Sequence, residues 1–210
     1  MKKITLSLAA LALLAAFAFS SCKGDTPTEE VVEVVEEELT GINGDFVVDP
    51  AASNLAWTGK KVTGEHFGSI KVADGKFSLE GSELSSGTII VDMNSIVVED
   101  IEDAEMNGKL LGHLMSEDFF NTAAFGEAKL EISAAEGNEA KGQLTIKGIT
   151  ESIKFPYRVK EENGKVHVSG QLEVDRTVYD IRYGSGKFFE NLGDKTIDDI
   201  FVLKFEIVAQ

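Results

Sequence analysis

The stretch that decides the fold class is QLTIKGITESIKFPYRVKEENGKVHVSGQLEV, residues 143–174. Apolar and polar side chains alternate in three of its runs, QLTIK, IKFPYRV and VHVSGQLEV. This period-two pattern is typical of strands that bury one face in an antiparallel sheet. Asn163-Gly164 stands between the last two runs, and Asn-Gly is the strongest short signal for a β-hairpin. The stretch therefore predicts antiparallel strands joined by tight turns.

The same alternation continues on both sides of this stretch, at 89–93, 127–132 and 201–207. Ala73-Asp74-Gly75 predicts a further turn between two short strands. Only residues 104–115 depart from the pattern, because their apolar residues recur near helical spacing and predict one short helix. Many short strands are typical of a sandwich or a barrel. An antiparallel barrel of about eight strands is large enough to hold one small ligand.

The first residues have the layout of a secretory signal. Two lysines precede an apolar run at 4–19, which is shorter than the roughly 20 residues that a membrane-spanning helix needs. Phe19-Ser20-Ser21-Cys22 resembles a bacterial lipobox, in which signal peptidase II cleaves before a cysteine that becomes acylated. We predict that residues 1–21 are a lipoprotein signal peptide and that Cys22 is the lipidated anchor. The alternative is an ordinary signal peptide that ends near a cysteine.

Residues 22–44 predict an acidic linker, because 23–44 hold seven acidic residues and one lysine. The globular domain is then 45–210, with 17 basic and 29 acidic residues and a net charge of −12. Such an acid excess argues against a nucleic-acid partner, which needs patches of Lys and Arg. We expect an exported protein in the periplasm or on the cell surface, anchored to a bacterial membrane, with the outer membrane favoured.

Sequence motifs for catalysis are missing from the chain. It contains no G-x-S-x-G, H-E-x-x-H, Walker A or Rossmann glycine pattern, and residues 183–187 (YGSGK) are interpreted as a glycine-rich turn. Cys22 is the only cysteine, so an internal disulfide and a thiol nucleophile in the domain are excluded. We therefore predict a protein that is not an enzyme, with no cofactor and no metal.

The domain contains three histidines. His167 alternates with two valines, so it is expected on the polar face of its strand. His66 and His113 are interpreted as side chains that fix a loop by local hydrogen bonds. The alternative for this pair is a metal-dependent hydrolase, which requires both imidazoles to share one ion.

Arg176 follows the apolar face of the run at 166–174. Continuing that alternation places its guanidinium on the inner face, where a buried charge is costly unless it is paired. Three environments are open: the rim of the barrel, an acidic partner such as Asp118 or Asp175, or the polar head of a ligand.

Several motifs, taken in order, resemble the YceI-like family. HLMSEDFF, LTIKGIT and VDR are its three main signatures, and further similar residues follow the last of them and open the domain. The segments LAWTGKKV and HFG resemble the branch common among Bacteroidetes lipoproteins. The matching positions are 46–50, 55–62, 66–68, 113–120, 144–150, 174–176 and 179–181.

The resemblance implies a lipocalin-like antiparallel barrel. Its interior would bind a long amphiphilic isoprenoid, such as a polyprenyl quinone or a polyprenyl pyrophosphate, and no catalysis is implied. The ligand-pocket candidates are then Trp57, Phe67, His113, Phe119, Phe120, Arg176 and Tyr179. Whether the protein is a homodimer stays open.

The main hypothesis is a membrane-tethered carrier of an apolar lipid. A barrel lined by Phe, Leu, Ile and Val buries methylene groups at about 0.8 kcal/mol each without any catalytic group. The alternative is an interaction or stress-response adaptor domain whose barrel is solidly packed. A cavity large enough for a lipid chain would distinguish the two.

Overall fold

The computed structural model describes residues 41–210, so the predicted signal peptide, Cys22 and most of the linker lie outside the described residues. Within this range the chain forms nine strands and one α-helix, α1, at Ala104–Met115. Two short 3-10 helices lie at Arg176–Tyr179 and Gly193–Lys195. The strands are β1 Gly44–Val47, β2 Asn54–Lys61, β3 Gly64–Glu80, β4 Glu83–Val98, β5 Glu127–Glu136, β6 Glu139–Ile146, β7 Ile149–Glu162, β8 Lys165–Asp175 and β9 Ile197–Ala209.

Eight of the strands close into one antiparallel barrel. The order around the barrel is β3-β2-β9-β8-β7-β6-β5-β4, and β4 pairs again with β3. The short β1 adds a ninth strand by pairing with the second half of β3. The prediction of an all-β, lipocalin-like antiparallel barrel of about eight strands with one short helix is confirmed.

Tight turns set the register of consecutive strands. Asn163 and Gly164 join β7 to β8, with φ of +54° and +73°, as the Asn-Gly signal predicted. The predicted turn at Ala73-Asp74-Gly75 is wrong, because β3 runs through it without a break. The residues form a β-bulge instead: Val72 pairs with Val91 while Asp74 pairs with Ile90. The partner strand continues on both sides, so the Asp-Gly signal bends β3 without reversing it.

The predicted helix is confirmed with its predicted bounds. Asp103 caps the N-terminus of α1, since its Oδ1 accepts a hydrogen bond from the Met106 amide at 2.9 Å. The side chain of Asn107 donates to the carbonyl oxygens of Val98 and Ile101, at 2.9 and 3.0 Å. These bonds fix α1 to the end of β4 and so hold it across one end of the barrel. Within residues 41–210, no helix is long and apolar enough to cross a membrane.

Candidate functional site: an apolar cavity in the barrel

The barrel encloses a cavity of about 290 Å³. Each of the eight barrel strands contributes to its wall, together with α1. The wall follows the period-two pattern of the strands: Leu203, Phe205 and Ile207 of β9 face the cavity, and Lys204 between them is exposed. The inward residues that the sequence alternation predicts therefore form a nearly continuous apolar surface.

Tyr157 seals one end of the barrel, which we name the closed end. This end carries the β3–β4 and β5–β6 turns. The Tyr157 hydroxyl accepts a hydrogen bond from the Leu84 amide and donates one to the Gly137 carbonyl oxygen, both at 3.0 Å. Burial raises the pKa of this phenol, so it stays protonated and keeps its donor role at neutral pH.

The opposite end, which we name the mouth, carries the polar residues of the cavity. Lys60, Lys61, His66 and Asp198 line the cavity there. A shallow surface depression beside it is lined by both of these lysines and by Asp198 as well. The shared residues place the opening between the β2–β3 turn and the first residues of β9. A ligand oriented with its apolar chain inward would present its polar head at this point.

Aromatic side chains cover the rest of the mouth. The His113 ring of α1 packs against Tyr183 and Phe119, with ring centroids 4.4 and 5.2 Å apart. Phe119 packs on Phe120 at 5.7 Å, and Phe120 packs edge-to-face on Phe201 of β9 at 6.1 Å. The cluster thus connects an exposed residue, Tyr183, with the cavity wall.

His113 carries a buried polar atom beside the cavity. Its Nε2 has no hydrogen-bond partner among residues 41–210, and the side chain lines the cavity. An unpaired buried polar group costs about 1–3 kcal/mol. A hydroxyl or carbonyl group of a ligand that reached this atom would satisfy it.

Arg176 is almost fully buried, at 2% exposure, although it touches the cavity. Its Nε, Nη1 and Nη2 donate to the backbone carbonyl oxygens of Asp198, Ile181 and Ile197, at 3.0, 2.8 and 3.1 Å. Nη2 also lies 3.6 Å from Asp199. Burial lowers the pKa of the guanidinium, and the charge of Asp199 opposes that shift. The arginine joins the end of β8 to the start of β9.

Neither predicted acidic partner of Arg176 is the one found. Asp175 bonds instead to the Lys187 ammonium at 2.7 Å and to Thr177. Asp118 forms no ion pair among residues 41–210. The acid that faces Arg176 is Asp199, which only the β8–β9 pairing brings close.

Five of the seven pocket candidates line the cavity: Trp57, His113, Phe119, Phe120 and Arg176. The prediction for Phe67 is wrong. Phe67 pairs with Thr58 on the outer face of the sheet and is 45% exposed, whereas Trp57 and Gly68 pair on the inner face. Tyr179 is buried beside the barrel but does not line the cavity, and burial raises its pKa to about 12. That the five residues lining the cavity contact a ligand remains a prediction.

His66 and His167 have local partners, whereas the predicted local hydrogen bond of the His113 side chain is wrong, because its buried Nε2 has no partner among residues 41–210. His66 Nδ1 lies 2.7 Å from the Asp100 carboxylate, which also accepts a bond from the Phe67 amide. His167 is on the outer face, 3.0 Å from Glu206. In residues 41–210, no group of three or more His, Cys, Asp or Glu side chains is arranged to hold a metal ion.

The family model of the YceI-like domain matches residues 46–209 of the sequence, so the chain belongs to the YceI-like family. A UPF0312 protein of Shewanella denitrificans is 39% identical over 75 residues, which are 36% of this chain and 36% of that protein. The matched segment is thus about a third of the relative's length.

Two solved structures share the barrel fold. BcnA of Burkholderia cenocepacia superposes with a TM-score of 0.60 at 23% identity, over 78% of this chain and 99% of its own. A polyisoprenoid binding domain from Saccharophagus degradans superposes with a TM-score of 0.55 at 16% identity, over 79% of this chain and 97% of its own. The YceI-like barrel and its apolar cavity support a lipid-binding role.

Proposed function

We propose that this protein is a membrane-tethered, non-enzymatic carrier of a long apolar lipid, of polyisoprenoid or quinone-like type. The observation that carries the proposal is the apolar cavity of about 290 Å³ inside a closed barrel. Small-molecule sites are typically about 300–1,000 Å³, so the cavity is near the lower end of the range and can hold part of a lipid chain. A solidly packed adaptor barrel would not contain it.

The chemistry of the wall supports a lipid ligand. Burying each CH₂ group contributes about 0.8 kcal/mol, so a chain of several isoprene units gains affinity without any polar contact. The solved Saccharophagus degradans domain is described as polyisoprenoid binding, and this chain shares its fold. The polar head would lie at the mouth, near His113.

The predicted location completes the proposal. Acylation of Cys22 would hold the protein on a bacterial membrane, in the periplasm or at the cell surface. The carried lipid would then exchange with that membrane, and no covalent step is needed.

The test is to purify the protein from its own host, record native mass spectra and extract it with organic solvent. Leu203→Trp narrows the cavity, and its matched control is Lys204→Trp, which adds the same ring outside the barrel. We expect a bound isoprenoid in the unmodified protein and in Lys204→Trp, and its loss in Leu203→Trp. Overpacking costs about 1–3 kcal/mol, so circular dichroism must show that the variant is folded.

If Leu203→Trp does not fold, Ala128→Leu provides a smaller obstruction in the same cavity. Recovery of no lipid from the unmodified protein would contradict the proposal. Equal lipid content in the cavity variant and in Lys204→Trp would show that the lipid binds outside the barrel.

A further inference from the structure

Large exposed apolar side chains are concentrated at one end of the barrel. Residues 41–210 contain ten of them, and nine belong to elements that form or surround the mouth. Only Val47, in β1, lies toward the closed end. Single exposed apolar residues are ordinary, but their concentration at one end marks an interaction surface. The most prominent members are Val62, Phe67, Met106, Tyr183, Phe188 and Phe189.

Val62 is at the tip of the β2–β3 turn, next to the cavity opening. Its amide donates to the Thr196 carbonyl oxygen at 3.2 Å, and its side chain is 64% exposed. It also lines the depression into which the cavity leads. The turn therefore places an apolar side chain directly beside the opening of the cavity.

Phe188 and Phe189 lie on the segment between the two 3-10 helices. Their exposures are 45% and 49%. Lys187 holds this segment to the barrel through its 2.7 Å ion pair with Asp175, and the Ile197 amide donates to the Gly184 carbonyl oxygen at 2.8 Å. The two aromatic rings are thus fixed at the mouth while remaining in contact with solvent.

We propose that the mouth docks on the surface of a bilayer of uncharged or zwitterionic lipids, with the cavity opening toward the lipid. This inference rests on the proposed carrier function, because a carried lipid must leave and enter a bilayer. Phe and Val side chains around an opening insert into the interface by burying apolar area. The aromatic cluster from Tyr183 through His113 and Phe119 leads from this surface to the cavity.

The negative charge of the domain favours docking on uncharged or zwitterionic lipids over anionic lipids. The domain at 45–210 has a net charge of −12, so an anionic surface would repel it. The lysines at the opening do not reverse this, since Lys60 lies near Glu65, and Asp198 lines the same depression. Binding must therefore come from apolar insertion and be strongest on neutral lipids.

The chain between Cys22 and the barrel is long enough for the mouth to face the membrane that would hold Cys22. Ile42 is bonded to Ser82 at the closed end, with the Ile42 amide donating to Ser82 Oγ at 2.8 Å. Cys22 precedes Gly41 by 19 residues. A chain of that length spans at most about 63–68 Å, whereas the 17 residues of β3 extend about 56 Å. A lipid anchor at Cys22 would therefore let the mouth turn toward the same membrane.

The test is sedimentation with phosphatidylcholine vesicles, using the predicted mature chain from residue 22 with Cys22→Ser, so that neither acylation nor the apolar run at 4–19 contributes. Val62→Ser and Val47→Ser form a matched pair, because the two valines are 64% and 63% exposed at opposite ends of the barrel. We expect Val62→Ser to weaken binding, the double variant Phe188→Ser/Phe189→Ser to weaken it at least about tenfold, and Val47→Ser to leave it unchanged. Phosphatidylglycerol vesicles at low salt should bind less.

Failure of docking and failure of the carrier function are distinguishable. Quenching of Trp57, the only tryptophan and a cavity residue, by a short-tailed quinone reports the cavity without vesicles. The Phe188→Ser/Phe189→Ser variant should keep this quenching and lose vesicle binding. Docking is overturned if Cys22→Ser protein does not bind vesicles, if Val47→Ser weakens binding as much as Val62→Ser, or if only anionic vesicles bind. A dimer that Phe188→Ser/Phe189→Ser abolishes would assign the surface to a second copy and overturn it too.

Discussion

Arg176 Nη1 donates a hydrogen bond to the Ile181 carbonyl oxygen at 2.8 Å, and so links the first residue of the 3-10 helix that follows β8 to the chain just beyond the end of that helix. Two more carbonyl oxygens, of Ile197 and Asp198, accept from the same guanidinium. The buried guanidinium of Arg176 thereby bonds to both ends of the segment that connects β8 to β9 at the mouth. The arginine is a structural residue at the edge of the ligand site.

Replacing Arg176 by Met should therefore lower the free energy of unfolding by about 3–5 kcal/mol. The substitution removes the donor to one buried and two partly buried carbonyl oxygens, and it removes one of the two cations beside Asp199. Urea unfolding followed by circular dichroism measures the change. Arg182→Met is the control: its ion pair with Asp180 is exposed, so it should cost less than about 1 kcal/mol. Equal effects of the two variants would contradict a structural role for Arg176.

His113→Phe should separate ligand binding from stability. The substitution removes the buried Nε2 that has no partner in residues 41–210, so stability should be unchanged or slightly higher. A ligand head that bonds to Nε2 loses one hydrogen bond, worth about 0.5–1.5 kcal/mol, so affinity should fall about two- to tenfold. Trp57 quenching by a short-tailed quinone gives the affinity, and thermal unfolding gives the stability.

His167→Phe is the matched control for that experiment, because His167 lies on the outer face beside Glu206. It should leave quinone affinity unchanged. If His113→Phe binds the quinone as tightly as the unmodified protein, the ligand head does not contact Nε2.

The strands of the barrel could be predicted because the patterns that indicate them lie within short segments of the sequence. Alternation identifies the strands, and Asn163-Gly164 identifies a turn through the φ values that those residues tolerate. Ala73-Asp74-Gly75 misled the prediction, since the same residue types also suit a bulge. Only the continuous pairing of β3 with β4 decides between turn and bulge, and that pairing is not local.

The site was predicted less completely, for the same reason. Asp199 faces Arg176 only because β9 pairs with β8, so proximity in sequence favoured Asp175 instead. Phe67 belongs to a family-like motif, but alternation from Gly68, the partner of the inward Trp57, places Phe67 on the outer face. Tyr183 belongs to a segment without periodicity, so no pattern indicated that it would cover His113.

Asp100 makes stability depend on pH in the acid range. Burial raises the pKa of this carboxyl, but the hydrogen bonds from the His66 ring and the Phe67 amide outweigh it, and the pKa is lowered overall. A carboxyl with a lower pKa in the folded state than in the unfolded state, where it is about 3.9, stabilises the protein above that value. The contribution is lost as the pH falls through the folded pKa.

Asp100→Asn should therefore destabilise the protein at pH 7 by about 1–3 kcal/mol and progressively less below pH 4. Urea midpoints measured from pH 7 to pH 3 on both proteins give this difference. A difference that stays constant over the whole range would show that the charge of Asp100 contributes nothing.

Acylation of Cys22 can be tested at the N-terminus of the mature protein. If the lipobox is used, the first residue of the protein purified from host membranes is Cys22, and its N-terminal peptide carries acyl chains in mass spectra. Cys22→Ser should abolish both the acylation and the cleavage before residue 22, so the acylated N-terminal peptide disappears from the mass spectra and residues 1–21 stay on the chain. Ser20→Ala, which keeps a small residue before the cleavage point, should be processed normally. An unmodified N-terminus at another residue would instead assign an ordinary signal peptide, and the barrel would then reach membranes only through its mouth.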